Sequence, residues 1–127
     1  MRFMTMVKAA ENSGRPPQAL MDAIANLAEE GLKAGVLVET GGLLPSAMGA
    51  RVRLSGGKLT VTDGPYAEAK EVIGGYAVYD VESKEEAVKL GTQFMELHQK
   101  HWPGWEGECE IRQLYDAAAF KPEVARR

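Results

Sequence analysis

The two histidines of the chain, His98 and His101, stand three residues apart, a spacing that puts both on one face of a helix. Imidazole titrates near neutral pH, so this pair is the first candidate for proton transfer or metal ligation. Two histidines do not complete a metal site. A third ligand would have to come from Asp63, Glu68 or Glu71, and no paired ligand motif joins them, so neither a metal nor a cofactor is read. The plainer reading of His98 is a packed histidine bonded to a backbone carbonyl beside Trp102.

Asp63-Gly64-Pro65 is first a turn, because aspartate can accept from nearby backbone N–H groups and glycine tolerates conformations other residues avoid. Proline at the third position suits a type I turn poorly, so Pro65 is expected to open a second turn over residues 64–67. Gly64, like Gly75 further on, is expected where a side chain would be costly. Asp63, Glu68, Lys70 and Glu71 also bring alternating charge to the end of a strand, where a carboxylate could serve as a base or orient one. The same run describes a solvated loop equally well. Trp102-Pro103-Gly104-Trp105 could roof a pocket or simply pack as a loop on the sheet edge. His98 and Asp63 are thus the catalytic candidates, with Tyr66, Glu68, Trp102 and Arg112 as binding candidates. Cys109 lies between Glu108 and Glu110, which disfavour a thiolate nucleophile. No nucleotide-binding or nucleophile-elbow motif is present.

These side chains need elements to position them. Residues 2–8 alternate loosely, Phe3, Thr5 and Val7 against Met4 and Met6, as a strand covered on both faces would. Residues 12–15 read as a loop. After Pro16-Pro17, Leu20, Ile24, Leu27, Ala28 and Leu32 form one helical stripe to about Lys33, and Gly35 caps it. Residues 36–39 make a short strand, ended by Gly41-Gly42 and Pro45. Gly56-Gly57 marks a two-residue hairpin pairing Leu54 with Leu59, Val52 with Val61, Arg53 with Thr60 and Arg51 with Thr62, apolar on one face and polar on the other. A longer strand follows over residues 72–81, with a bulge suggested at Gly74-Gly75. Ser83 and Glu86 fit a capping box, and Ala87, Leu90, Gly91, Phe94, Leu97, His98 and His101 share the apolar stripe of a second helix. A last strand lies over residues 110–115.

Strand, helix, strand, hairpin, strand, helix, strand is most economically an α+β ferredoxin-like sandwich, an antiparallel sheet with two helices on one face. The bare face, with Met6, Tyr76 and Val78, suggests a homodimer. The 127 residues fit a single domain over residues 1–116 with a tail over 117–127 that is expected to fray. Apolar residues at 45% and charged residues at 26% describe a soluble protein. With 15 basic and 18 acidic residues, the net charge of -3 leaves no footprint for nucleic acid. No apolar run spans a membrane and no signal-peptide core follows Met1, so a cytoplasmic protein is expected. A single cysteine excludes an internal disulfide.

The run from Gly57 to Tyr76, with Asp63-Gly64-Pro65-Tyr66 at its centre, resembles the signature of the YCII-related, or DGPF-motif, family. Gly42-Leu43-Leu44-Pro45 and Ser83-Lys84-Glu85-Glu86-Ala87 resemble it too, and the likeness runs to about Tyr115. Tyr66 stands where the family has phenylalanine, which adds a hydroxyl. The resemblance implies a ferredoxin-like dimer of the dimeric α-β barrel type. It also implies either a small-molecule enzyme, or a degenerate relative of one, with a ligand pocket between sheet and helices, or a non-catalytic ligand-binding or regulatory module associated with a sigma factor. An enzymatic branch of the wider family uses a histidine–aspartate pair in its N-terminal half. This chain has no histidine before His98, so that mechanism does not transfer.

Overall fold

The structure, a computed structural model, describes residues 1–115; the tail expected from Ala117 lies outside the described residues. Eight regular elements follow in order: β1 (Arg2–Ala9), α1 (Gln18–Lys33), β2 (Leu37–Gly42), β3 (Ala50–Ser55), β4 (Lys58–Asp63), β5 (Val72–Asp80), α2 (Lys84–His101) and β6 (Glu108–Gln113). Four strands form an antiparallel sheet in the order β2-β5-β1-β6, while β3 and β4 make a separate two-stranded ribbon. Each helix connects two strands that flank a third, the ferredoxin-like α+β arrangement.

Strand parity sets the two faces of the sheet. Phe3 pairs with Tyr79, and Thr5 with Ala77 and Ile111. These side chains face the helices, and Phe3, Leu37, Ala77, Tyr79, Val81 and Ala87 form the core, with Ala28, Leu90 and Ile111 against it. A Cβ on Gly91 would lie 3.0 Å from Ile111 Cδ1 and 3.5 Å from Cys109 Sγ, so the lack of a side chain lets α2 lie close on β6. On the other face, Met4 pairs with Val78 and Met6 with Tyr76. That face is less bare than the strand pattern suggests. Val78 is buried, the Tyr76 hydroxyl donates to Glu39, and Lys8 Nζ lies 2.7 Å from Glu110 and 3.2 Å from Glu108.

The hairpin has the expected register at every pair, with Gly56 at φ +58° and Gly57 at +77° forming the turn. Its apolar face is uncovered: Val52 and Leu54 are each 69% exposed, Leu59 and Val61 each 67%. The capping box forms in a shifted version. Glu86 N donates to Ser83 Oγ at 3.2 Å, and the Glu86 carboxylate accepts from Glu82 N. The expected bulge appears where the register shifts between Val7 and Lys8, opposite Gly74. β2 continues through Gly41-Gly42, where glycine was expected to end it. The ring of Tyr76 on the neighbouring strand occupies the space a Gly41 side chain would need, with Cε1 3.1 Å from where its Cβ would be. Among the described residues, no helix is long and apolar enough to cross a membrane.

Candidate functional site: a cavity between sheet and helices

Packing does not close between α1 and the sheet. A cavity of about 900 Å³ remains there, with Thr5, Val7 and Ala77 on the strand side, Ile24 and Ala28 on α1, and Phe94 and His98 on α2. Trp102 and Trp105, from the turn after α2, also line it, and the rim includes Glu11, Arg15, Leu43 and Leu44. Its size and mostly apolar walls suit a small organic ligand.

His98 is its buried polar group, 7% exposed. Nδ1 lies 3.0 Å from the Phe94 carbonyl oxygen one helical turn back. A carbonyl only accepts, so Nδ1 carries the hydrogen, and in the neutral ring Nε2 becomes an acceptor. No protein group bonds Nε2, yet among the described residues no buried side-chain nitrogen or oxygen lacks a partner. Nε2 is therefore accessible, on a ring that lines the cavity. Burial pushes the imidazole below its ordinary pKa, and the Phe94 bond opposes that only in part, so the ring is neutral at neutral pH. Phe94 and Trp105 flank it, with ring centroids 4.9 and 4.5 Å away. Trp105 is itself fixed: it stacks on Trp102 at 5.8 Å, and its indole fills the space that a Gly107 side chain would take.

The Asp63–Glu68 loop lies one tier behind the rim. The Gly64–Pro65 peptide is cis. A Cβ on Gly64 would collide with the Ser46 carbonyl, so close packing makes this glycine necessary. Ser46 donates through both its backbone N–H and its hydroxyl to Glu11, which holds the Glu11 carboxyl below its ordinary pKa. Tyr66 N donates to Ser46 Oγ at 3.4 Å, and the Arg51 guanidinium sits 3.8 Å above the Tyr66 ring while pairing with Glu68. The Glu68 backbone N–H, and then Arg51, lower the Glu68 pKa. The motif thus braces the base of the hairpin and, through Ser46, the cavity rim.

Of the residues singled out in the sequence, His98 and Trp102 meet at the cavity, and Asp63, Tyr66, Glu68 and Arg112 do not line it. Asp63 ends β4 opposite Ala50, exposed, on a ribbon that has left the main sheet. Arg112 pairs across from Met4 on the face away from the helices, where Nη1 meets Glu110 at 3.1 Å. His101 is half-buried and not part of the lining. Burial raises the Cys109 thiol, and its acidic neighbours are not the cause, since Glu108 and Glu110 hold Lys8 on the opposite face. Arg15 was read only as a loop residue and Glu11 was not singled out; their place just after β1 was the signal that they sit at a strand end. Among the described residues no three histidine, cysteine or carboxylate side chains converge.

A sequence model of the YCII-related domain matches residues 1–94. The chain belongs to the YCII-related domain family. It is similar to an uncharacterized protein of Rhizobium meliloti (strain 1021), 32% identical over 91 residues, which span 72% of this chain and 67% of that protein. The part of this YCII-related chain matched by the domain ends at Phe94, so His98, Trp102 and Trp105 lie beyond it.

Proposed function

We propose that this YCII-related protein binds a largely apolar small molecule in the cavity between α1 and the sheet, and that His98 Nε2 accepts a hydrogen bond from a hydroxyl or N–H of that molecule. The observation that carries the reading is a buried imidazole lining an apolar cavity, its tautomer pinned by the Phe94 carbonyl and its second nitrogen accessible and without a protein partner. On this reading the same nitrogen serves as a general base towards an acidic hydroxyl or C–H, an effect worth on the order of 10²–10⁴-fold in rate. The Phe94 carbonyl takes the orienting role that a carboxylate could otherwise fill. Asp63 is no part of this assignment.

One observation favours the second reading, a regulatory module that relays ligand binding to a partner such as a sigma factor. Glu11 both lines the cavity and bonds Ser46 at the base of the hairpin, so filling the cavity acts on the hairpin through a short chain of contacts. In either reading we propose a homodimer. Its support is the uncovered apolar face of the β3–β4 ribbon, because a lone two-stranded hairpin is marginal in water.

Titration calorimetry with 1-naphthol and naphthalene tests the assignment. The apolar bodies match, and only the naphthol donates a hydrogen bond. One such bond, worth about 1 kcal/mol, predicts that naphthol binds roughly 5- to 10-fold more tightly. His98→Leu should erase the preference while retaining naphthalene binding. Equal affinities in the wild type would overturn the role of His98, and no binding of either compound would overturn the cavity reading.

A further inference from the structure

The charged side chains that line the cavity are few, and they are not equivalent. Glu11 is held by Ser46, His98 is neutral, and Glu30 lies three turns along α1 from its start. Arg15 remains. Its guanidinium makes no hydrogen bond or ion pair with any described residue, and it sits on the rim immediately before Pro16-Pro17. There α1 starts on Pro17 with no side-chain cap and no acidic residue in its first turn. The positive end of a 16-residue helix and an unpaired guanidinium therefore fall together on one stretch of rim. Inward from it the walls are apolar, formed by Val7, Ile24, Ala28 and Phe94, with the His98–Trp105 stack alongside.

Resting on the cavity reading above, we infer that the ligand is an apolar monoacid, its carboxylate held at the rim by Arg15 and its hydrocarbon or aryl body inserted between α1 and the sheet. An anion buried in the apolar interior would lose its hydration without a partner, whereas one at the rim keeps water and gains a forked donor. On the rim at the start of α1 the charge left without a described partner is positive, and Glu30, the other such lining residue, lies three turns along the helix, so an acid head group suits this end of the cavity better than a neutral or an amine one. His98 then meets a donor group borne on the apolar body, not the acid itself, because its neutral Nε2 can only accept.

The chain has two tryptophans, Trp102 and Trp105, and both line the cavity, so intrinsic emission reports its filling directly. Decanoate and 1-decanol, titrated at pH 8 below their aggregation limits, share one body and differ in the head group. Decanoate is expected to bind about tenfold more tightly than decanol, and added salt should weaken decanoate alone. Arg15→Gln should bring decanoate to the affinity of decanol or below and leave decanol unchanged, with Arg15→Lys recovering part of the difference. If both probes bind equally in the wild type, or Arg15→Gln leaves the preference intact, the acid assignment is overturned and the cavity reading stands. If neither probe alters the emission, the cavity reading falls and takes this inference with it.

Discussion

His98 is neutral because burial costs the charged ring its hydration, and that makes it a stability element as well as a ligand group. Its folded-state pKa lies below the ordinary value of 6.5, so the native state binds its proton less readily than the unfolded chain. The stability this contributes is complete above about pH 6.5 and is lost as pH falls through the lowered native value. His98→Leu should therefore flatten the acid side of the stability profile between about pH 7 and 5, measured as urea midpoints across that range. Parallel profiles would contradict a buried neutral ring. At Gly64 the argument is steric. A single methyl collides with the Ser46 carbonyl, so Gly64→Ala is expected to cost about 1–3 kcal/mol, read as a lowered thermal midpoint. At Gly75 the same methyl would lie 3.2 Å from the Gly41 carbonyl oxygen, a closeness that small shifts relieve, and Gly75→Ala should cost less. The sequence pointed to both glycines but not to this difference, which depends on how segment 45–49 folds back against the loop.

Among the elements, those governed by local chemistry were readable in advance. The glycine pair fixed the hairpin register, and the stripe from Leu20 to Leu32 gave α1. Two things were not readable. Gly41-Gly42 looked like a strand stop because glycine weakens strands in general, but both residues pair with β5, and the Tyr76 ring crowds the space beside Gly41. Asp63 or Arg112 was expected within reach of His98, yet the ribbon carries Asp63 off the sheet and strand parity turns Arg112 to the far face. Both outcomes depend on tertiary pairing that one sequence does not display. The ribbon itself supplies the test of association. Val52, Leu54, Leu59 and Val61 are mostly exposed in the single chain, so Leu54→Glu with Leu59→Glu should leave the fold of the single chain in place, read as an unchanged far-UV circular dichroism spectrum. If the ribbon is covered in a homodimer, sedimentation of the double variant at micromolar concentration should show a monomer where the wild type shows a dimer. An unchanged sedimentation profile would remove the ribbon from the interface.

In the molecule as a whole, an open cavity lies beside the packed core, between the sheet and the helices, and the chain's two tryptophans and its buried histidine gather on its wall. The YCII-related match ends at Phe94, just before that aromatic group, so the matched part contains the strand floor, the rim and Arg15, and the segment beyond it contributes His98, Trp102 and Trp105. A structure determined with 1-naphthol bound tests this account most directly. The ring system should lie between α1 and the sheet, against Phe94 and Trp105, with its hydroxyl about 2.7–3.0 Å from His98 Nε2. Naphthol bound elsewhere, or α1 closed down on Thr5 and Val7 with no cavity left beside His98, would contradict it.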